Sequence, residues 1–192
     1  MIFSYLLGSI PSGYIVGALA GVDIRKAGSG NIGATNVARV IGKKRGLLTL
    51  IADIGKGFIP VFVASQIGFS HTTVAFVAIL AFLGHLYPVF LKFQGGKGVA
   101  TALGALLALA PMATVILMVI FALVAVSSRL VSLSSIVAAL AAPITLWSLS
   151  YSPPIIAMGV FFAVMIIVRH RDNIRRLVAG TEPRFGSPAN SR

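Results

Sequence analysis

The sequence predicts an all-α fold, a polytopic integral membrane helix bundle of about seven transmembrane helices with its N-terminus outside and its C-terminus in the cytoplasm. Three observations carry this expectation. The 192 residues are 57% apolar and 10% charged, where a soluble domain carries about 45–50% and about 25%, and mean hydropathy is +0.98. Apolar runs recur along the chain at the length of about 20 helical residues that a hydrocarbon core of about 30 Å demands. The cations, 16 Lys and Arg against 4 Asp and Glu for a net charge of +12, collect in alternate connections between those runs.

Taken in order, the spans are 2–22, 47–68, 73–90, 99–110, 112–128, 130–149 and 155–168. The fourth and fifth come from one apolar stretch broken by Pro111. An interior proline removes a backbone hydrogen bond and clashes with the preceding turn, so the stretch reads as a hairpin; one that dips into the bilayer and returns would satisfy the same charges. Arg25, Lys26, Arg39, Lys43, Lys44 and Arg45 lie between spans 1 and 2, Lys92 and Lys97 between 3 and 4, and Arg129 between 5 and 6. Arg169, Arg171, Arg175, Arg176, Arg184 and Arg192 follow span 7, and only Lys56 falls inside a span. The opposite connections carry no Lys or Arg, so the positive-inside rule puts every basic loop in the cytoplasm.

Residues 1–192 read as a single domain, because the loops are too short for a separate soluble one and no repeat or heptad is visible. Met1 to Ala20 lacks a basic leader and is long enough to stay as a span, so no cleaved signal peptide is expected. The absence of cysteine excludes disulfides, a thiol nucleophile and cysteine metal sites. Three scattered histidines without acidic neighbours make no metal centre, and four acidic residues supply no carboxylate pair for glycoside chemistry.

Chemistry must then come from the cytoplasmic helix ends, where three segments stand out. Residues 28–39 set Ser29, Asn31, Thr35, Asn36 and Arg39 among Gly28, Gly30 and Gly33; small residues let backbone N–H groups converge on an anion, or the segment is a hydrophilic connector. Residues 84–101 contain Gly95, Gly96, Lys97 and Gly98 just before a helix, a phosphate-binding layout without Walker A spacing; the competing reading is a glycine hinge with a snorkelling lysine. Residues 169–182 hold His170, Asn173 and Glu182 among arginines that otherwise read as a topological flank. If the helix continues past the bilayer, His170 and Asn173 share a face at i, i+3. Inside the membrane Asp53 and Lys56 can pair at the same spacing, either as a structural pair or as a functional one.

The three segments together resemble the bacterial membrane glycerol-3-phosphate acyltransferases that use acyl phosphate as donor, the PlsY family. The resemblance rests on Gly28–Arg39, on Gly84-His85-x-x-Pro88 running to Phe93-x-Gly95-Gly96-Lys97-x-Val99-Ala100-Thr101, and on Arg169-His170-x-x-Asn173-Ile174-x-Arg176-Leu177-x-x-Gly180-Thr181-Glu182. It implies transfer of a fatty acyl group from acyl phosphate to the 1-hydroxyl of glycerol 3-phosphate, giving lysophosphatidic acid and phosphate at the bacterial cytoplasmic (inner) membrane, without a cofactor. Under it, the glycine-rich segments, including Gly30, Asn31, Gly95 and Gly96, with Ser29, Thr35, Asn36 and Lys97, hold the acyl-phosphate headgroup. Ser135, His170 and Asn173, helped by Arg39 or Arg45, hold glycerol 3-phosphate. Soluble-type glycerolipid acyltransferases carry a His-x-x-x-x-Asp dyad, but here the residue five after His71, His85 and His170 is Phe76, Phe90 and Arg175. The base is then His170 or a substrate phosphate oxygen, with His170 and Lys97 as the catalytic candidates.

Two other classes compete. A transporter of phosphorylated metabolites would show interrupted segments in two repeats, and only one intramembrane charge pair is present. A nucleic-acid binder would need stacking aromatics; the cations instead follow topology, so no nucleic-acid partner is expected. The partners are acyl phosphate, glycerol 3-phosphate and membrane lipid, and the sequence leaves the oligomeric state open.

Overall fold

The computed structural model describes residues 1–185, so Arg192 of the cationic tail lies outside the described residues. They form ten α-helices: α1 Ile2–Gly8, α2 Ser12–Leu19, α3 Ala34–Ile41, α4 Lys43–Gln66, α5 His71–Leu86, α6 Val99–Leu109, α7 Pro111–Ser128, α8 Val131–Ser148, α9 Pro153–Arg169 and α10 Arg171–Val178. The protein is a membrane helix bundle. Its surface is apolar where a soluble protein would be polar: Leu19 is 84% and Val126 77% exposed. The interior is tight, with Phe82, Leu86, Leu146 and Met158 wholly enclosed and the Phe82 and Phe162 rings 4.5 Å apart.

Between helices in lipid the packing is driven by close backbone approach, for which small residues are needed. α4 lies along α6, and a Cβ on Gly57 would strike the Thr101 carbonyl, one on Gly104 the Ile54 carbonyl. α1 lies along α5 by the same device, Gly8 against Ala81 and Gly84 against Tyr5. Pro111 stands at the first position of α7, where its missing N–H costs nothing, so the expected turn between the fourth and fifth segments is present.

Three features differ from the expected spans. The first, 2–22, is two helices separated at Ser9 to Pro11. Pro11 offers no N–H to continue the ladder of α1, and at the break the Ile10 carbonyl accepts from the Ser12 N–H at 3.0 Å and from Lys56 Nζ at 2.9 Å. Among the described residues, five stretches are long and apolar enough to cross a membrane, Ile2–Leu19, Lys43–Gln66, His71–Leu91, Pro111–Ser128 and Val131–Ser148, and α9 with α10, bent by 61°, makes a sixth if the two are one span. α6 has 11 residues and rises about 16 Å, too little to cross alone. Finally, the last span does not run straight past the bilayer, because the chain breaks at His170, between α9 and α10.

Candidate functional site

Helix starts supply the first element of the site. The first hydrogen bond of α3 reaches Gly33, that of α6 runs from Ala102 to Gly98, and that of α8 from Ser134 to Leu130. The N–H groups of the residues between have no helical acceptor, and each start carries positive potential. All three starts, at Ala34 and Thr35, Val99 and Ala100, and Val131 and Ser132, line one cavity of about 1060 Å³. Such convergence suits anions.

The glycine-rich first segment is knitted by one side chain. Asn36 Oδ1 accepts from the Ser29 N–H at 2.8 Å, while its Nδ2 donates to the carbonyls of Asn31, Ala27 and Ile24 at 2.9–3.3 Å. Asn31 Oδ1 in turn accepts the Gly33 N–H at 2.8 Å. Gly28 admits this knot, since a Cβ there would meet Asn36 Oδ1. Asn36 therefore shapes the loop with its polar atoms, whereas Ser29, Asn31, Thr35 and Arg39 line the cavity alongside it. Gly30 does not line it. Nor does Arg45, which is exposed and bonds the Ile41 carbonyl at 3.3 Å.

The second segment uses its glycines differently from a phosphate loop with free amides. The Gly95 and Gly96 N–H groups donate to the carbonyls of Leu86 and His85 at 3.2 and 3.1 Å. Their own carbonyls accept from Arg169, Nη2 to Gly95 at 2.6 Å and Nε to Gly96 at 3.0 Å. Both glycines lie outside the cavity lining; they fasten the loop so that Lys97 and the start of α6 face inward. Gly96 is also the only fit beside the His85 ring, which a Cβ would overlap.

Across the mouth, His170 and Asn173 are buried and line the cavity in spite of the bend. His170 Nδ1 lies 2.8 Å from the Ile166 carbonyl; donation there leaves Nε2 as the lone-pair nitrogen. Burial first, then the Lys97 charge, pulls the imidazole down to about 4, so it is neutral at ordinary pH. Lys97 Nζ donates to Asn173 Oδ1, and burial lowers the ammonium to about 8 against the opposing pull of Glu182. Ser135, near the start of α8, lines the cavity with its hydroxyl bonded back to the Val131 carbonyl at 2.9 Å.

Three polar residues at this mouth were not singled out as ligands by sequence reasoning. Glu182 accepts Asn173 Nδ2 at 2.6 Å and Arg176 Nε at 2.7 Å. Ser132 Oγ is buried and faces the Glu182 carboxylate without closing a full hydrogen bond. Arg176 read as part of the topological flank, and its i, i+3 spacing from Asn173 was the available signal.

Away from the mouth the same cavity becomes apolar, walled by Leu103, Leu106, Leu117, Phe121, Ala139 and Phe162. One space thus has a cationic, donor-rich end and a hydrocarbon end. Asp53 and His85 also line this cavity, His85 Nδ1 standing 3.7 Å and Lys56 Nζ 2.9 Å from Asp53 Oδ1.

Known proteins share this fold. The family model described as glycerol-3-phosphate acyltransferase matches residues 1–180. A glycerol-3-phosphate acyltransferase of Geobacter sulfurreducens is 48% identical over 182 residues, 95% of this chain and 94% of that one. The crystal structure of PlsY (YgiH), an integral membrane glycerol 3-phosphate acyltransferase, in its glycerol 3-phosphate form is 44% identical and superposes with a TM-score of 0.94, covering 96% of this chain and 93% of that one. Its lysophosphatidic acid form gives a TM-score of 0.91 over the same shares, again at 44% identity. With the match spanning the three glycine-rich and basic segments and the helices that carry them, the chain belongs to the glycerol-3-phosphate acyltransferase family.

Proposed function

We propose that this protein transfers a fatty acyl group from acyl phosphate to the 1-hydroxyl of glycerol 3-phosphate, releasing phosphate and leaving lysophosphatidic acid in the lipid of the bacterial cytoplasmic membrane. One observation carries the reading: a single cavity joins three helix starts and Lys97 to an apolar groove. An acyl phosphate has that shape, an anion on a hydrocarbon chain. Family membership adds the acceptor, since a relative of the same fold is described in its glycerol 3-phosphate form. The distribution of cations supports an N-terminus outside and a mouth on the cytoplasmic side, with the α6–α7 stretch entering and leaving by the same face.

An acyl phosphate is a mixed anhydride, so the protein need not supply a nucleophile. The acceptor oxygen attacks the acyl carbon, the carbon–oxygen bond to phosphate breaks, and the hydroxyl proton ends on the departing phosphate. Ser29, Thr35 and the amides of α3 and α6 hold the donor phosphate beside Lys97, whose charge also offsets that of the carbonyl oxygen in the transition state. Arg39, Ser135, Asn173 and His170 hold the acceptor, and bringing two mutually repelling anions into register is the main catalytic work. With His170 at about 4, a phosphate oxygen with a second pKa of about 6 is the stronger base. His170 Nε2 accepts a hydrogen bond from the acceptor's 2-hydroxyl and so orients the molecule, and the phosphate takes the proton of the attacking 1-hydroxyl.

The test is a mixture of detergent-purified protein, labelled glycerol 3-phosphate and synthetic acyl phosphate. The reading expects 1-acylglycerol 3-phosphate and one phosphate per lipid formed. Uptake of glycerol 3-phosphate into proteoliposomes without lipid product would replace it with transport.

A further inference from the structure

A cavity that gathers anions has a carboxylate built into its mouth. The chain has only four acidic residues; Asp23 pairs with Arg25, Asp53 with Lys56, and Asp172 lies exposed beside Arg175. Glu182 alone is buried at the cytoplasmic mouth, its side chain 8% exposed. It is delivered there by the end of α10. Gly180 takes a positive φ of 67°, and the N–H groups of Thr181 and Gly180 bond back to Arg176 and Leu177, a Schellman turn. The chain then folds over its own helix, and the Phe185 N–H closes on the Arg129 carbonyl at 2.8 Å.

We propose that Glu182 is the positioning residue for Lys97, acting through Asn173. Because Glu182 takes the Asn173 Nδ2, the amide can stand only with Oδ1 toward Lys97, and that oxygen takes one of the three ammonium protons. Two remain for substrate. A carboxylate in direct contact with Lys97 would neutralise it and repel the ligand. Set one amide away, it fixes the geometry and keeps the ammonium charged while leaving the inner face positive. The charged and titratable groups around Lys97 are Glu182, Asp172, Arg176 and His170 from the α10 side and Arg169 from α9; Glu182 is the one that holds its partner by a hydrogen bond.

The inference rests on the acyl-transfer reading for its catalytic meaning, so its test is independent of turnover. Purified wild type and Glu182→Gln are labelled with trace acetic anhydride across pH, and acetylation of Lys97 is read by mass spectrometry. The wild-type midpoint is expected near 8, and that of Glu182→Gln about half to one pH unit lower. In the transfer assay the same variant raises KM roughly fivefold or more, exceeding any change in kcat. Glu182→Asp keeps the charge and restores the midpoint but is a methylene too short to hold Asn173, so it still raises KM; it serves as the test variant if Glu182→Gln does not fold, and an unchanged KM there overturns the inference. A merely structural Glu182 would lower the melting temperature and leave the Lys97 midpoint in place. An unmoved midpoint overturns the inference even if the wild type is active, whereas an inactive wild type with a shifted midpoint overturns only the acyl-transfer reading.

Discussion

Two lysines, Lys56 buried and Lys97 half-buried, divide this molecule into a region that holds and a region that binds. Lys56 touches a carboxylate directly and gives a further proton to the Ile10 carbonyl. Lys97 touches only a neutral amide oxygen, with its carboxylate one residue beyond. The first arrangement cancels charge in the bilayer and ties the break between α1 and α2 to α4. The second keeps charge available in a cavity. Contact between a lysine and a carboxylate is thus what separates a fastening from a binding group here.

The largest effect expected from breaking this contrast falls on Lys97. Lys97→Ala should lower kcat/KM for acyl transfer by about a thousandfold while the protein still inserts and purifies, because one preorganised donor to developing charge is lost. Initial rates on monodisperse protein measure this.

Lys56 should respond in the opposite currency, stability. Lys56→Met alone strands Asp53 in the membrane and should destabilise the bundle by about 3–5 kcal/mol, read as a loss of folded protein in a thermal assay. Asp53→Leu with Lys56→Met removes both charges and should recover most of it.

A smaller effect comes from His170. Its pKa is near 4 when folded and about 6.5 in an unfolded chain, so the unfolded state binds more protons below neutrality. The stabilisation is present above about 6.5 and is lost as pH falls toward 4. The melting temperature should drop across that window, and His170→Asn should flatten the drop.

The smallest pair sharpens the border of the binding region. Arg39 lines the cavity and Arg45 does not, so Arg39→Ala should raise KM for glycerol 3-phosphate by about tenfold and Arg45→Ala by less than about twofold. Equal effects would redraw the mouth.

Much of this was readable in advance. Hydropathy and charge spacing expose the helical bundle, Pro111 marks its turn, and the three-residue gap between Asp53 and Lys56 makes their pairing visible. The three loops converge as their shared content of small residues, amides and cations suggests. What stayed hidden depends on acceptors distant in sequence. The length of an apolar run says nothing of the backbone break at Ser9 to Pro11, which is stabilised by a lysine 46 residues on. Gly95 and Gly96 look like free amides until Leu86 and His85 are seen to take them. Glu182 stands out in the sequence beside His170 and Asn173, but only the left-handed Gly180 reveals that it turns back onto Asn173.

The most direct test runs Lys97→Ala and the Asp53→Leu, Lys56→Met double variant side by side in the acyl phosphate and glycerol 3-phosphate assay, counting lipid formed per folded molecule. The account predicts that the double variant makes lysophosphatidic acid at a rate within about tenfold of wild type while Lys97→Ala makes almost none. A double variant that is folded but inactive, beside a Lys97→Ala protein that still turns over, would contradict it.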